Sequence, residues 1–79
     1  MTYELFTEVV LAEDIPDKGL RRGDVATVVE RHAAAGEAGY SLEVFNALGD
    51  TIAVLTVPES KIKPLTGNDV FTVRSVAAG

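Results

Sequence analysis

Four carboxylates crowd one short stretch of the chain. Glu13, Asp14, Asp17 and Asp24 are interleaved there with Lys18, Arg21 and Arg22. Paired carboxylates can exchange protons in catalysis or hold a hard cation. The spacing fits no calcium loop, because no bidentate Glu closes it. The three cations are expected to neutralise the acids around them. Two readings stand: a solvated, partly self-paired loop, or a docking surface for a basic segment of another protein. In the second, the charges would steer association more than set its strength.

Nucleophilic chemistry has little to work with. There is no Cys, and His32 is the sole histidine. Ser41, Ser60 and Ser75 lack the glycine-flanked elbow that exposes a catalytic serine. His32 follows Arg31 in a polar setting and reads as a solvated loop residue. As a metal ligand it would need Glu30 or Glu37 beside it, and one imidazole makes a weak site. Gly19, Gly23 and Gly49 serve turns, and no glycine-rich loop leads into a helix to cradle phosphate. No catalytic residue, metal or cofactor is therefore expected, and the chain reads as a non-enzyme.

Composition narrows the partner classes. The chain has 79 residues, 12 acids against 7 bases, and a net charge of −5. Nucleic-acid backbones are bound by clustered Lys and Arg. The longest basic run, Arg21-Arg22, sits among acids, so nucleic acid and anionic membrane surfaces are disfavoured. The first ten residues include Glu4 and Glu8 and no basic region, unlike a signal peptide. A cytoplasmic protein is expected. With no disulfide to staple it, the fold must rest on apolar packing, and a hydrophobic content of 47% suffices for one domain.

The elements that position these groups read as strands. Leu5 to Ile15 is rich in apolar and β-branched residues, and Pro16 stops it. A polar excursion follows to Gly23. Val25 to Arg31 reads as a second strand. Tyr40, Leu42 and Val44 alternate with polar residues, which marks a half-buried third strand with those three inward. Asn46 to Asp50 is a hairpin turn. Thr51 to Val57 reads as a buried fourth strand. Pro58 opens one tight 3-10 turn over 58–61. Ile62 to Leu65 is a short fifth strand. The stretch between His32 and Gly39 reads as a soft loop.

Five short strands in about 65 residues predict an all-β fold, a small five-stranded SH3-like barrel over residues 1–65. Val25, Val28, Leu42, Val44, Val54, Leu55 and Ile62 are expected in its core. Residues 66–79 form a tail. Its face is undetermined by alternation, so it reads as accessory, as an extra edge strand, or as a strand for a partner. Phe45 is out of phase with Tyr40, Leu42 and Val44. It should point outward as an anchor for a partner, or lie tucked under the tail.

Two stretches carry a family resemblance: Val10 to Glu30 (VLAEDIPDKGLRRGDVATVVE) and Asp50 to Leu65 (DTIAVLTVPESKIKPL). They resemble a bacterial family of small domains of unknown function. Its members share two acids followed by Ile-Pro-x-x-Gly-Leu, then Gly-Asp-x-Gly-Thr-Val-Val, then Thr-Ile-Ala-Val-x-Thr and Ile-x-Pro-Leu. The resemblance covers about residues 4–65. Ala26 departs from it, where the family often has Gly. The resemblance implies no enzymatic activity. Members stand beside toxin-like genes, which implies an antitoxin or immunity role. The Gly23-Asp24 lead-in also resembles that of ribosome-associated and transcription-factor barrels that bind RNA, which carry a basic face this chain lacks.

The expected function is a non-catalytic, protein-binding domain that inhibits a partner protein. The candidate binding residues are Glu13, Asp14, Asp17, Arg21, Arg22, Phe45 and Phe71. The alternatives are an RNA- or ribosome-associated barrel and a self-association module, a homodimer joined through its tail at Phe71 to Val76.

Overall fold

The computed structural model describes residues 2–76. Five strands form one antiparallel sheet: β1 (Glu8–Leu11), β2 (Val25–His32), β3 (Gly39–Phe45), β4 (Thr51–Pro58) and β5 (Ile62–Pro64). Their order across the sheet is β4-β3-β2-β1-β5. The all-β expectation holds. Where one 3-10 turn was expected there are two among the described residues, at Glu59–Lys61 before β5 and at Pro16–Lys18 in the polar excursion. The second is closed by Gly19 at φ 68°, a left-handed conformation that glycine adopts without a Cβ penalty. None of the described helical segments is long and apolar enough to cross a membrane.

Alternation fixes the core. Val9 pairs with Ala26, Leu11 with Ile62, and Leu42 with both Val28 and Leu55. These residues, with Leu20, Tyr40, Val44 and Val57, make one buried cluster. Tyr40, Leu42 and Val44 point inward as their spacing predicts. Two expected core residues do not belong. Val54 is 53% exposed, because Leu55 and Val57 take the inward positions of β4. Val25 is half-buried on the opposite face from the core, paired with Val10. In both strands a run of β-branched and small apolar residues concealed the phase.

The first strand is shorter than the stretch from Leu5 to Ile15 suggested. Leu5 and Phe6 form a turn, closed by Thr7 Oγ1 donating to Glu4 O at 2.7 Å, with Phe6 at φ 65°. Beyond Leu11 the chain leaves the sheet for the excursion, although Ala12 N still donates to Lys61 O at 2.8 Å. Two bulges adjust the ladders, one between Val28 and Glu30 and one between Val44 and Phe45.

Tyr3 clasps the curled sheet. Its backbone N–H donates to Tyr40 Oη on β3 at 3.1 Å, and its own hydroxyl donates to Ile62 O on β5 at 3.3 Å. The two rings meet edge to face, 5.4 Å between centroids, at 84°. β3 and β5 are not neighbours in the sheet, so this contact spans its curvature. Burial raises the Tyr3 phenol above its ordinary value, helped by Glu59 and Tyr40 nearby.

No strand forms from Thr66 to Val76. Residues 77–79 of the expected tail and Met1 lie outside the described residues.

Candidate functional site

The excursion is built by its acids, in a way that charge alone did not reveal. Asp14 Oδ1 accepts the backbone N–H of Arg22 at 2.9 Å, and Asp24 Oδ2 accepts that of Arg21 at 2.8 Å. Ile15 and Leu20 bridge across the base of the turn. The expectation that Lys18, Arg21 and Arg22 neutralise these acids is corrected. The carboxylates bind the arginines' main chain, because short Asp side chains reach nearby N–H groups first. The neutralising cations come from elsewhere: Lys61 Nζ lies 2.9 Å from Glu13, and Arg74 reaches Asp24. Among the described residues the side chains of Asp17, Lys18, Arg21 and Arg22 make no ion pair and remain exposed.

Arg74 ties the tail to this loop. Its Nε donates to Asp24 Oδ1 at 3.1 Å and its Nη2 to Asp24 Oδ2, and Nη2 also reaches Gly19 O at 3.3 Å. The carboxylate hydrogen bond raises the guanidinium further above its ordinary value. The tail thereby arches over the outer face of β1. Val10 lies on that face, outside the core cluster, yet is only 6% exposed. Three consecutive buried residues, Val9 to Leu11, follow from cover on both faces of one strand.

Between the sheet and the arch runs an open groove of about 800 Å³. Val10, Val25 and Lys63 share its floor, and Phe45, Ile52 and Phe71 line its walls. Ile52 is the residue left unpaired by the bulge opposite Phe45, and such bulges re-aim a side chain. Phe45 is 43% exposed, so it faces the tail without being covered by it. The structure thus brings Phe45 and Phe71 to one groove. Arg74 and Asp24 close one side of it. Glu13, Asp14, Asp17, Arg21 and Arg22 lie in the neighbouring loop, not in the groove.

His32 ends β2 rather than lying in the loop, and of the polar cluster around it only Glu30 was foreseen. His32 Nε2 lies 2.7 Å from Ser41 Oγ, which lies 3.0 Å from Thr56 Oγ1, and Glu30 Oε1 is 3.6 Å from the same His nitrogen. Ser, His and Glu do meet, but not as a relay. A relay needs the acid on the second ring nitrogen to orient the base, and here Ser and Glu share Nε2. The groups sit on neighbouring exposed strands, where a polar ladder of this kind is ordinary. Among the described residues no group of three His, Asp or Glu side chains could hold a metal.

Sequence reading missed Asp24 and Arg74 as a pair because they are fifty residues apart with no pattern linking them. Val10 was visible only as part of an apolar run. No curated protein and no solved structure matches the chain. A family model described as "Domain of unknown function (DUF4926)" matches residues 5–64. The chain belongs to that family of small domains of unknown function.

Proposed function

We propose that this domain is a non-catalytic protein-binding module with an SH3-like barrel. It inhibits a partner protein by occluding it, in the manner of an antitoxin or immunity protein. The partner is the product of a toxin-like neighbouring gene, met in the cytoplasm. One observation carries the reading. Phe45 and Phe71, from separate segments, line one open groove, and they stay 43% and 68% exposed. Aromatic side chains that become buried on binding dominate interface energetics. The strand order and the single turn before β5 support the barrel. The net charge of −5 and the unpaired Asp17 favour a partner with a basic rim.

The test is capture from the source organism's lysate, using the full chain and its Phe45→Ala and Phe71→Ala forms, at low and high salt. One stoichiometric protein that survives high salt and is lost with either substitution supports the reading. An empty bait, or equal capture by the variants, overturns it. A second reading, an RNA- or ribosome-associated module, is favoured by the unpaired side chains of Lys18, Arg21 and Arg22. It predicts nucleic acid that washes off with salt.

A further inference from the structure

The two edges of the sheet are unlike. β5 is three residues long and carries Lys63 and Pro64, both of which discourage a further strand. β4 runs Thr51–Pro58 without one charged residue. Its bulge lies at Ile52 and its proline at the far end, so Ala53 to Val57 is a regular, undefended edge. Every second residue there turns its N–H and C=O away from β3. Val54 adds an apolar side chain that is 53% exposed. β4 is the last strand of the sheet and pairs only with β3, while Asp17, Lys18 and Val76 border Thr51–Val54 across an open cleft of about 600 Å³.

The tail is the complement of that edge. Val70 to Val76 (VFTVRSV) is rich in β-branched residues. Among the described residues its backbone makes no hydrogen bond. Val70, Phe71 and Val73 all project into solvent, Val73 completely. Arg74 fixes the segment to Asp24, so residues 70–73 are held out on a clamp rather than left to wander. A strand ordered in advance costs less to pair.

We propose that residues 70–76 of one copy add as a strand to the β4 edge of a second copy, reciprocally, giving a two-fold dimer. Charge argues for a second copy as the occupant. Each copy carries −5 and most of its surface repels its like. β4 has no charge, and the one charge of residues 70–76, on Arg74, is already paired with Asp24. The two neutral, β-prone surfaces of the chain are therefore the two that fit each other. Each copy holds one of each, as a closed isologous contact requires. The inference goes beyond the proposed partner binding and does not depend on it.

The experiment is light scattering of the full chain, eluted from a sizing column over a range of loading concentrations. The wild type should run as a dimer. Val54→Lys loads the edge with a charge and Val73→Lys loads the strand, both at exposed positions that leave the fold intact. Circular dichroism melting checks this. Each variant alone should weaken association roughly tenfold or more. Mixed, the two keep one contact intact, the tail of V54K on the edge of V73K, while the reciprocal contact carries both lysines, so mixing should not restore the wild-type dimer. A wild type that stays monomeric overturns the proposal. So does a dimer indifferent to both substitutions. Phe71 belongs to both surfaces, so partner capture by Phe45→Ala, outside the tail and β4, is the readout that lets either idea fail alone.

Discussion

Arg74 grips Asp24 with two nitrogens across fifty residues of chain, Nε donating to one carboxylate oxygen and Nη2 to the other. The same Asp24 carboxylate accepts the backbone N–H of Arg21. One side chain therefore shapes the loop and anchors the tail. Arg74→Ala should release the tail with little loss of stability, as expected of a solvent-screened pair. Asp24→Ala should cost about 1–2 kcal/mol, since a backbone donor also loses its acceptor. Denaturant midpoints of the two variants and their double decide this. Equal losses would show that the loop bond contributes nothing.

Removing the chain after Leu65 should leave a folded sheet that is weaker by about 1–2 kcal/mol, from uncovering Val10. Hydrogen exchange should quicken at β1 and little at β3. Loss of the folded state would place the tail in the structural core rather than outside it.

Asp14 and Asp17 should behave differently despite their closeness. Asp14→Ala removes the acceptor of Arg22 N and should cost about 1 kcal/mol. Asp17→Lys should leave the melting temperature within a degree or two of the wild type. If the loop docks a basic segment, Asp17→Lys should slow association with the captured partner and reduce its salt dependence.

The raised phenol of Tyr3 predicts an alkaline weakness. A group that holds its proton more tightly folded than unfolded contributes stability below its unfolded value. That stability is lost as pH rises through the unfolded value toward the higher folded one. Stability should therefore fall above pH 10.0, the ordinary phenol value. Tyr3→Phe should shrink the fall while lowering stability at neutral pH by about 1 kcal/mol, through its lost bond to Ile62 O. Identical alkaline curves for the two proteins would remove Tyr3 as the cause.

The strands were legible where polar and apolar residues alternate. Tyr40 to Val44 has this pattern, and its facing came out as read. Val54 and Val25 were misplaced because a largely apolar, β-branched-rich run gives strand without phase. The excursion was visible as a mixed-charge loop, but which charges meet depends on reach. Its aspartates bind local backbone, and its distant cations arrive from Lys61 and Arg74. Phe45 was legible from phase alone. Its meeting with Phe71 was not, since nothing in an unpatterned tail states where it will lie.

The Tyr3 clasp has a practical side. It joins the beginning of the chain to Tyr40 and Ile62, a contact 59 residues long in sequence for its hydroxyl. Such a closure forms late in folding, after the hairpins that need only short loops. A purification tag fused ahead of Thr2 would load that last step, and one fused behind Val76 would load the tail. Gly36, in the exposed loop between β2 and β3, faces open space, whereas Glu37 beside it is bonded to Ser60. Gly36 is the position at which a label, an epitope or a fluorescent dye can be carried with least disturbance.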